Sequence, residues 1–225
     1  TDDLAITSQL KSGQGSVSIE SSGNVDINAA ISTSDAEGDL NIIAGGDVTI
    51  TSLVASGEVV TVNAGGNIAT IDATSIIEGP SATLTAGGTI DVGLELADGA
   101  PGAVTASSGG AMTLREYIAE YTEDDLAPGT YFQNDPFVLS NLDTTDGSIT
   151  VESVRSIEAL DVIAGGTGDV SLTTTQGDIE IFDVTAQGNQ LLIDARGFDD
   201  IDDFDGGVEA IPNRLGGTII LNDPE

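Results

Sequence analysis

The densest concentration of potential chemistry in the sequence is a run of carboxylates near its C-terminal end. Between Phe198 and Gly207, Asp199, Asp200, Asp202, Asp203 and Asp205 place five acids within seven positions. Like charges at that density repel unless water or a cation shields them. Hard cations such as Ca2+ gather six to eight oxygen ligands from clusters of this kind. The spacing departs from an EF-hand loop, because Ile201 and Phe204 interrupt the alternation of acids. The Gly-Gly-x-Gly-x-Asp calcium repeat is absent as well. Two readings stand: a solvated acidic loop, or a Ca2+ site built from these five aspartates. Calcium is the one cofactor the residues suggest, and isothermal titration without calcium uptake would remove it.

The second concentration is aromatic. Five of the eight aromatic residues, Tyr117, Tyr121, Tyr131, Phe132 and Phe137, fall within residues 115–146. Tyr117 and Tyr121 stand at i and i+4, so Arg115–Tyr121 is expected to form a short helix with both rings on one face. One reading is a small core that pins an insertion to the rest of the molecule. The other is a contact surface for a protein chain or a glycan, since aromatics carry much of the energy of interfaces.

Other chemistry is poorly supplied. The chain has no His and no Cys, and its only lysine is Lys11. Serine-histidine triads and zinc sites of the usual ligand types therefore lack their residues, and no Gly-rich loop leads into a Lys-Ser/Thr pair to cradle phosphate. Polysaccharide hydrolases and lyases that pair carboxylates with His, Lys or Arg fit no better. Between residues 147 and 197, Arg155 and Arg196 are the only basic residues. Arg155, between Val154 and Ser156, is expected at an outward corner. The expectation is that the chain is not an enzyme.

The charge narrows the partners. Thirty-eight acidic residues against five basic ones give a net charge of −33. Nucleic-acid affinity rests on Lys and Arg displacing counterions, so nucleic acid is excluded as a partner, and anionic membranes equally. A saline medium or divalent cations would screen such a surface. High charge with few aromatics can signal disorder. Here Val, Ile and Leu are spread evenly and hydrophobic residues make up 39% of the chain, which is the composition of a folded protein. No run reaches the roughly 18 apolar residues of a membrane-spanning helix. No signal-peptide pattern opens the sequence at Thr1, so a processed chain or a segment of something longer is expected.

What could position these groups is a repeat. Leu40-Asn41-Ile42-Ile43-Ala44-Gly45-Gly46 recurs as Val60-Thr61-Val62-Asn63-Ala64-Gly65-Gly66 and as Ala82-Thr83-Leu84-Thr85-Ala86-Gly87-Gly88. Looser copies end at Gly109-Gly110 and Gly165-Gly166, and the early copies are spaced 20 to 22 residues apart. After several copies a second alternating run follows, such as Val48-Thr49-Ile50 or Ile90-Asp91-Val92. Alternation with period two marks half-buried strands, and a 20-residue period marks stacked coils. Each unit reads as strand, Gly-rich corner, strand, corner and short strand. Glycine suits corners that need positive φ or a tight turn, and Asp47 and Asn67 tolerate the same geometry. Leucine-rich and helical repeats lack their signatures. The expected fold is all-β: a right-handed parallel β-helix of 20–22 residues per coil with one inserted loop or helix segment.

The Ala-Gly-Gly units, followed by Asp, Asn or Thr and an alternating apolar run, resemble the repeats of filamentous-haemagglutinin-like exoproteins, the passengers of two-partner secretion. The resemblance covers about residues 15–114 and 147–195. The secretion-domain signature of that family, with its Asn-Pro-type motif, is not found, so the chain would match a shaft. The resemblance implies export, a place outside the cell or on its surface, and an adhesive or scaffolding role. The expected organisation is shaft at 1–114, aromatic insertion at 115–146, shaft at 147–197, acidic loop at 198–216 and a terminal strand at 217–225. The expected function is a rigid rod that displays binding surfaces. The alternative is a subunit joined end to end with its own copies into an extracellular filament. Partners would be copies of itself, neighbouring domains, or a glycan on another cell.

Overall fold

The computed structural model describes residues 2–13, 15–33, 38–72, 74–96, 103–117, 136–175, 177–188, 190–195 and 219–221. Asp199, Asp200, Asp202, Asp203, Asp205, Tyr121, Tyr131 and Phe132 lie outside the described residues. The described chain is a parallel β-solenoid of about 22 residues per coil, with no helix.

Alternation in sequence becomes alternation in burial. In Leu40–Ala44 the positions run buried, half-buried, buried, half-buried, buried, as a pleated strand with one inward face requires. Parallel pairing then sets each strand beside its counterpart one coil away. One face stacks nine strands: Leu4–Ile6, Val25–Ile27, Val48–Ile50, Ile68–Thr70, Ile90–Leu96, Met112–Glu116, Ile149–Ser153, Val170–Thr174 and Leu191–Ala195. A second face stacks Val17–Ser21, Leu40–Ala44, Val59–Ala64, Ser81–Ala86, Ala103–Ser108 and Phe137–Thr144. A short third face carries Leu10–Ser12, Ile31–Thr33, Val54–Ala55 and Ile76–Gly79.

The register makes the core a set of ladders. Val25, Val48, Ile68, Ile90, Met112, Ile149 and Val170 follow one another on the first face, each at most 1% exposed. Leu40, Val60, Ala82, Val104 and Leu139 do the same on the second. Branched side chains suit this stacking, and each fully buried one contributes about 1.5–3 kcal/mol.

The cross-section changes along the axis. In the first coils a corner at 51–53 separates the first and third faces. The strand Ile90–Leu96 removes it: its first residues pair with Ile68–Ala69 and its last with Ile76–Gly79. On the opposite side the second face acquires a corner. Phe137–Leu139 pairs with Ile157–Ala159, whereas Leu142–Thr144 pairs with Val162–Ala164. The shaft thus straightens on one side and bends on the other.

Two expectations about the interruption are corrected here. Arg115 and Glu116 are the end of a shaft strand, not the start of a helix, and Phe137–Thr144 is a shaft strand too. Their backbone groups are taken by neighbouring coils, and residues 118–121 of the expected helix lie outside the described residues. The break in the stack is correspondingly shorter than residues 115–146.

The glycine corners also work differently from the expectation. Positive φ among the described glycines is found only at Gly15, Gly166 and Gly177. At Gly65, Gly87 and Gly109 the reason is close approach. A Cβ there would lie 2.2, 2.2 and 2.1 Å from the carbonyl oxygen of Gly45, Gly65 and Gly87 respectively. The corners stay hydrogen-bonded coil to coil, as in Gly65 N–H to Ala44 at 2.9 Å and Gly87 N–H to Ala64 at 3.0 Å.

Beside the glycines runs a side-chain ladder. The Oδ1 of Asp3 accepts the N–H of Asn24, Asn24 that of Asp47, Asp47 that of Asn67, and Asn67 that of Thr89, at 2.7–2.9 Å. It resumes with the N–H of Asp169 on Ser148 and that of Gln190 on Asp169. Each step satisfies a corner N–H that no strand can reach. Asn67→Ala is expected to cost about 1 kcal/mol, and Asn67→Asp, which keeps the acceptor but turns a carboxylate toward the Asp47 oxygen that now accepts the Asn67 amide at 3.0 Å, is expected to be milder in acid than at neutral pH; urea midpoints of the two variants at both pH values check this.

Candidate functional site

Among the described residues, one cluster brings charged groups into the core. Position by position, the ladder Val54, Ile77 and Leu94 is apolar until the next coil places Glu116 beside Leu94. Glu116 keeps the inward parity of Met112 and Leu114, so alternation drives a carboxylate inside. The following coils continue with Ser153 and Thr174. Arg155 enters from the turn after Ile149–Ser153. Its Nε donates to Glu116 Oε1 at 2.6 Å, its Nη2 lies 2.5 Å from the same oxygen, and Nη2 donates to the carbonyl of Leu96 at 2.9 Å. The Ser153 hydroxyl donates to Glu116 Oε2 and accepts the N–H of Arg155. Glu116 is 3% and Arg155 1% exposed.

This corrects the outward placement expected of Arg155. Burying a guanidinium costs several kcal/mol unless its charge and donors are matched. The Glu116 carboxylate and the strand-end carbonyl of Leu96 supply the match, and the Ser153 hydroxyl serves the other carboxylate oxygen. The pair joins three strands, Ile90–Leu96, Met112–Glu116 and Ile149–Ser153, in the section where the cross-section changes. Buried among core side chains, the pair is placed to hold charge and shape within the shaft. The sequence carried a signal for one partner only: a glutamate at inward parity after Met112 and Leu114.

The remaining candidates fall as follows. Tyr117 continues from Glu116, donates its N–H to Leu94 at 2.7 Å and lays its ring over Gly93. A Cβ on Gly93 would come within 2.7 Å of that ring, so glycine and tyrosine fit as a pair. The contact-surface reading fails for Phe137, which is fully buried and paired in register with Ile157. Its inward parity with Leu139 puts it in the core. Tyr121, Tyr131 and Phe132 lie outside the described residues, as do the five aspartates of the acidic loop. Among the described residues no group of three or more acids is placed to hold a metal ion.

Two exposed polar devices complete the picture. On the first face Arg115 reaches across coils, with Nη1 2.5 Å from Asp91 Oδ1 and Nε 3.9 Å from Glu152 Oε2. The hydrogen bond to Asp91 holds its pKa above the ordinary range despite partial burial. At the corner after Ile68–Thr70, the Asp72 Oδ1 accepts the N–H and hydroxyl of Thr74 and the hydroxyl of Ser75. The Thr74 hydroxyl, then its N–H, hold the Asp72 carboxyl below its usual value. A depressed folded pKa contributes stability above the unfolded value, and that stability is lost as pH falls through the folded one. Asp72→Ala is therefore expected to lower the melting temperature slightly at neutral pH and not at all in strong acid.

No family model, no curated protein and no solved structure matches the chain.

Proposed function

We propose that this chain is a rigid rod segment of a secreted structural or adhesive surface protein, and not an enzyme. The observation that carries the reading is the continuous nine-strand stack from Leu4–Ile6 to Leu191–Ala195. A core whose ladders run the length of the shaft resists bending and needs no disulfide. Its one buried charged cluster among the described residues braces the shaft where its section changes. The high negative charge agrees with an extracellular or outer-surface place in which salt or calcium screens it. The resemblance of the Ala-Gly-Gly repeats to filamentous-haemagglutinin-like shafts points the same way.

A second reading, a filament subunit, is favoured by a specific observation. Leu10 and Leu191 occupy inward ladder positions, opposite Ile31 and Val170, yet are 39% and 51% exposed. Among the described residues these core positions stand open, a second copy stacked on them would pair strand to strand, and head-to-tail contacts of this type propagate without closing. Negative-stain microscopy across a concentration series, with calcium and then a chelator, separates the two. Single short rods under all conditions are expected for a shaft segment. Filaments that lengthen with concentration would support the second reading, and their loss in chelator would assign the acidic loop to their joints. Compact, non-elongated particles would refute both.

A further inference from the structure

The charge of this protein is unevenly placed, and one flat patch of the shaft has none. The four successive strands Leu40–Ala44, Val59–Ala64, Ser81–Ala86 and Ala103–Ser108 contain no Asp, Glu, Lys or Arg. The other faces carry charge on their outward positions: Asp26 and Asp91 on the first, Lys11, Glu78 and Glu95 on the third. The patch is bounded in its own rank by Glu20 opposite Ile43 and by Asp143 opposite Ser107.

The patch is also regular. Pairing from Leu40 to Ser108 runs without a register shift. It therefore presents two parallel outward rows that cross all four strands, beside a shorter row of Val59, Ser81 and Ala103. Asn41, Thr61, Thr83 and Thr105 form one; Ile43, Asn63, Thr85 and Ser107 form the other. Neighbours in a row are about 4.8 Å apart, and the rows about 6.7 Å apart. Among the described residues, the hydroxyls and amides of these rows have no side-chain hydrogen-bond partner, in contrast to the corner ladder, where the same residue types are engaged. Threonine is stiff at χ1, so the array is held ready at little entropic cost.

From this we infer that the face binds an extended, neutral polysaccharide lying along the shaft axis. The inference rests on the reading of the chain as an adhesive rod and names its ligand. Hydroxyl and amide groups both donate and accept, as sugar hydroxyls do. Threonine methyls and Ile43 meet the apolar faces of the rings. An extended glycan laid along the axis runs parallel to these rows, so successive sugars pass over successive coils spaced about 4.8 Å apart. Charge selects the class: an anionic polymer is repelled by the whole molecule, and a cationic one is drawn to the acidic corners instead. A span of about 14 Å over four strands accommodates only a few rings, so each face binds weakly and tandem shafts would bind by avidity.

The test is affinity electrophoresis of the full chain through gels containing hydroxyethyl cellulose or glucomannan, with polygalacturonate as the anionic comparison. The expected result is retardation by the neutral glycans alone. Thr83→Glu adds an outward charge at the centre of the patch and is expected to weaken that retardation roughly tenfold or more. Thr113→Glu, outward on the first face, is expected to leave it unchanged. Equal melting temperatures of the two variants show that folding is not the cause. If Thr83→Glu unfolds the chain, Thr61→Gln and Thr105→Gln together serve in its place. No retardation by either neutral glycan, equal retardation by polygalacturonate, or retardation untouched by the patch variants would overturn the inference. Failure here leaves rods in the microscope, so it is distinct from failure of the rod itself.

Discussion

Arg155→Met is expected to lower the stability of the shaft by about 3–5 kcal/mol, the loss typical of breaking one side of a buried ion pair. The variant leaves Glu116, 3% exposed, without its guanidinium and the carbonyl of Leu96 without its donor. The Ser153 hydroxyl still serves Glu116, yet a neutral donor does not replace a buried counter-charge. Glu116→Leu alone is expected to do similar damage, because Arg155 then loses its counter-charge. Combining the two should restore most of the loss, since an apolar pair of matching size needs no desolvation. Urea unfolding of the two single variants and the double variant measures this as a cycle. A loss within about 0.5 kcal/mol for Arg155→Met, the range of ordinary surface changes, would show that the pair does not brace the shaft. Hydrogen exchange should place the weakening at Ile90–Leu96, Met112–Glu116 and Ile149–Ser153, as coils couple chiefly to their neighbours.

Gly87→Ala is the second large effect. The added methyl would stand 2.2 Å from the carbonyl oxygen of Gly65, far inside contact distance. That oxygen belongs to the backbone, so relief requires the two coils to separate. Separation stretches the Gly87 to Ala64 and Gly88 to Gly66 hydrogen bonds, now 3.0 and 2.8 Å, and opens the ladder of Ala64, Ala86 and Ser108 beneath. A loss of about 3 kcal/mol or more is expected, at the upper end of overpacking. Gly13→Ala is the control. A Cβ at Gly13 meets nothing within 4 Å, and the change should stay within about 0.5 kcal/mol. Equal melting temperatures for the two variants would mean that the glycine column is not set by coil-to-coil approach.

The strands and their stacking were legible because they follow from local alternation. Leu40 to Ala44 or Val60 to Ala64 need only a pleat and a partner. The role of the glycines was legible in place but not in cause: a sequence shows that Gly65 and Gly87 recur, while the carbonyl they face belongs to another coil. Arg155 was not legible as a core residue for a related reason. Its partner Glu116 is 39 residues away, across a stretch where the 20 to 22 residue spacing fails, so no repeat aligns them. Phe137 was drawn toward the surface by the density of aromatics around it, although its parity with Leu139 marks it as core. The exchange of corners between the two sides is a property of pairing, and no single coil contains it. The acidic loop remains a reading of residues alone, because its aspartates lie outside the described part.

The rod is the claim on which the functional proposal depends, and small-angle X-ray scattering of the dilute chain tests it most directly. A solenoid continuous from Leu4–Ile6 to Leu191–Ala195 is expected to give one elongated particle with a uniform cross-section, and a distance distribution with a single peak and a long tail. A symmetric distribution, or two peaks from lobes that move about residues 115–146, would contradict a continuous shaft and the mechanical role proposed for it.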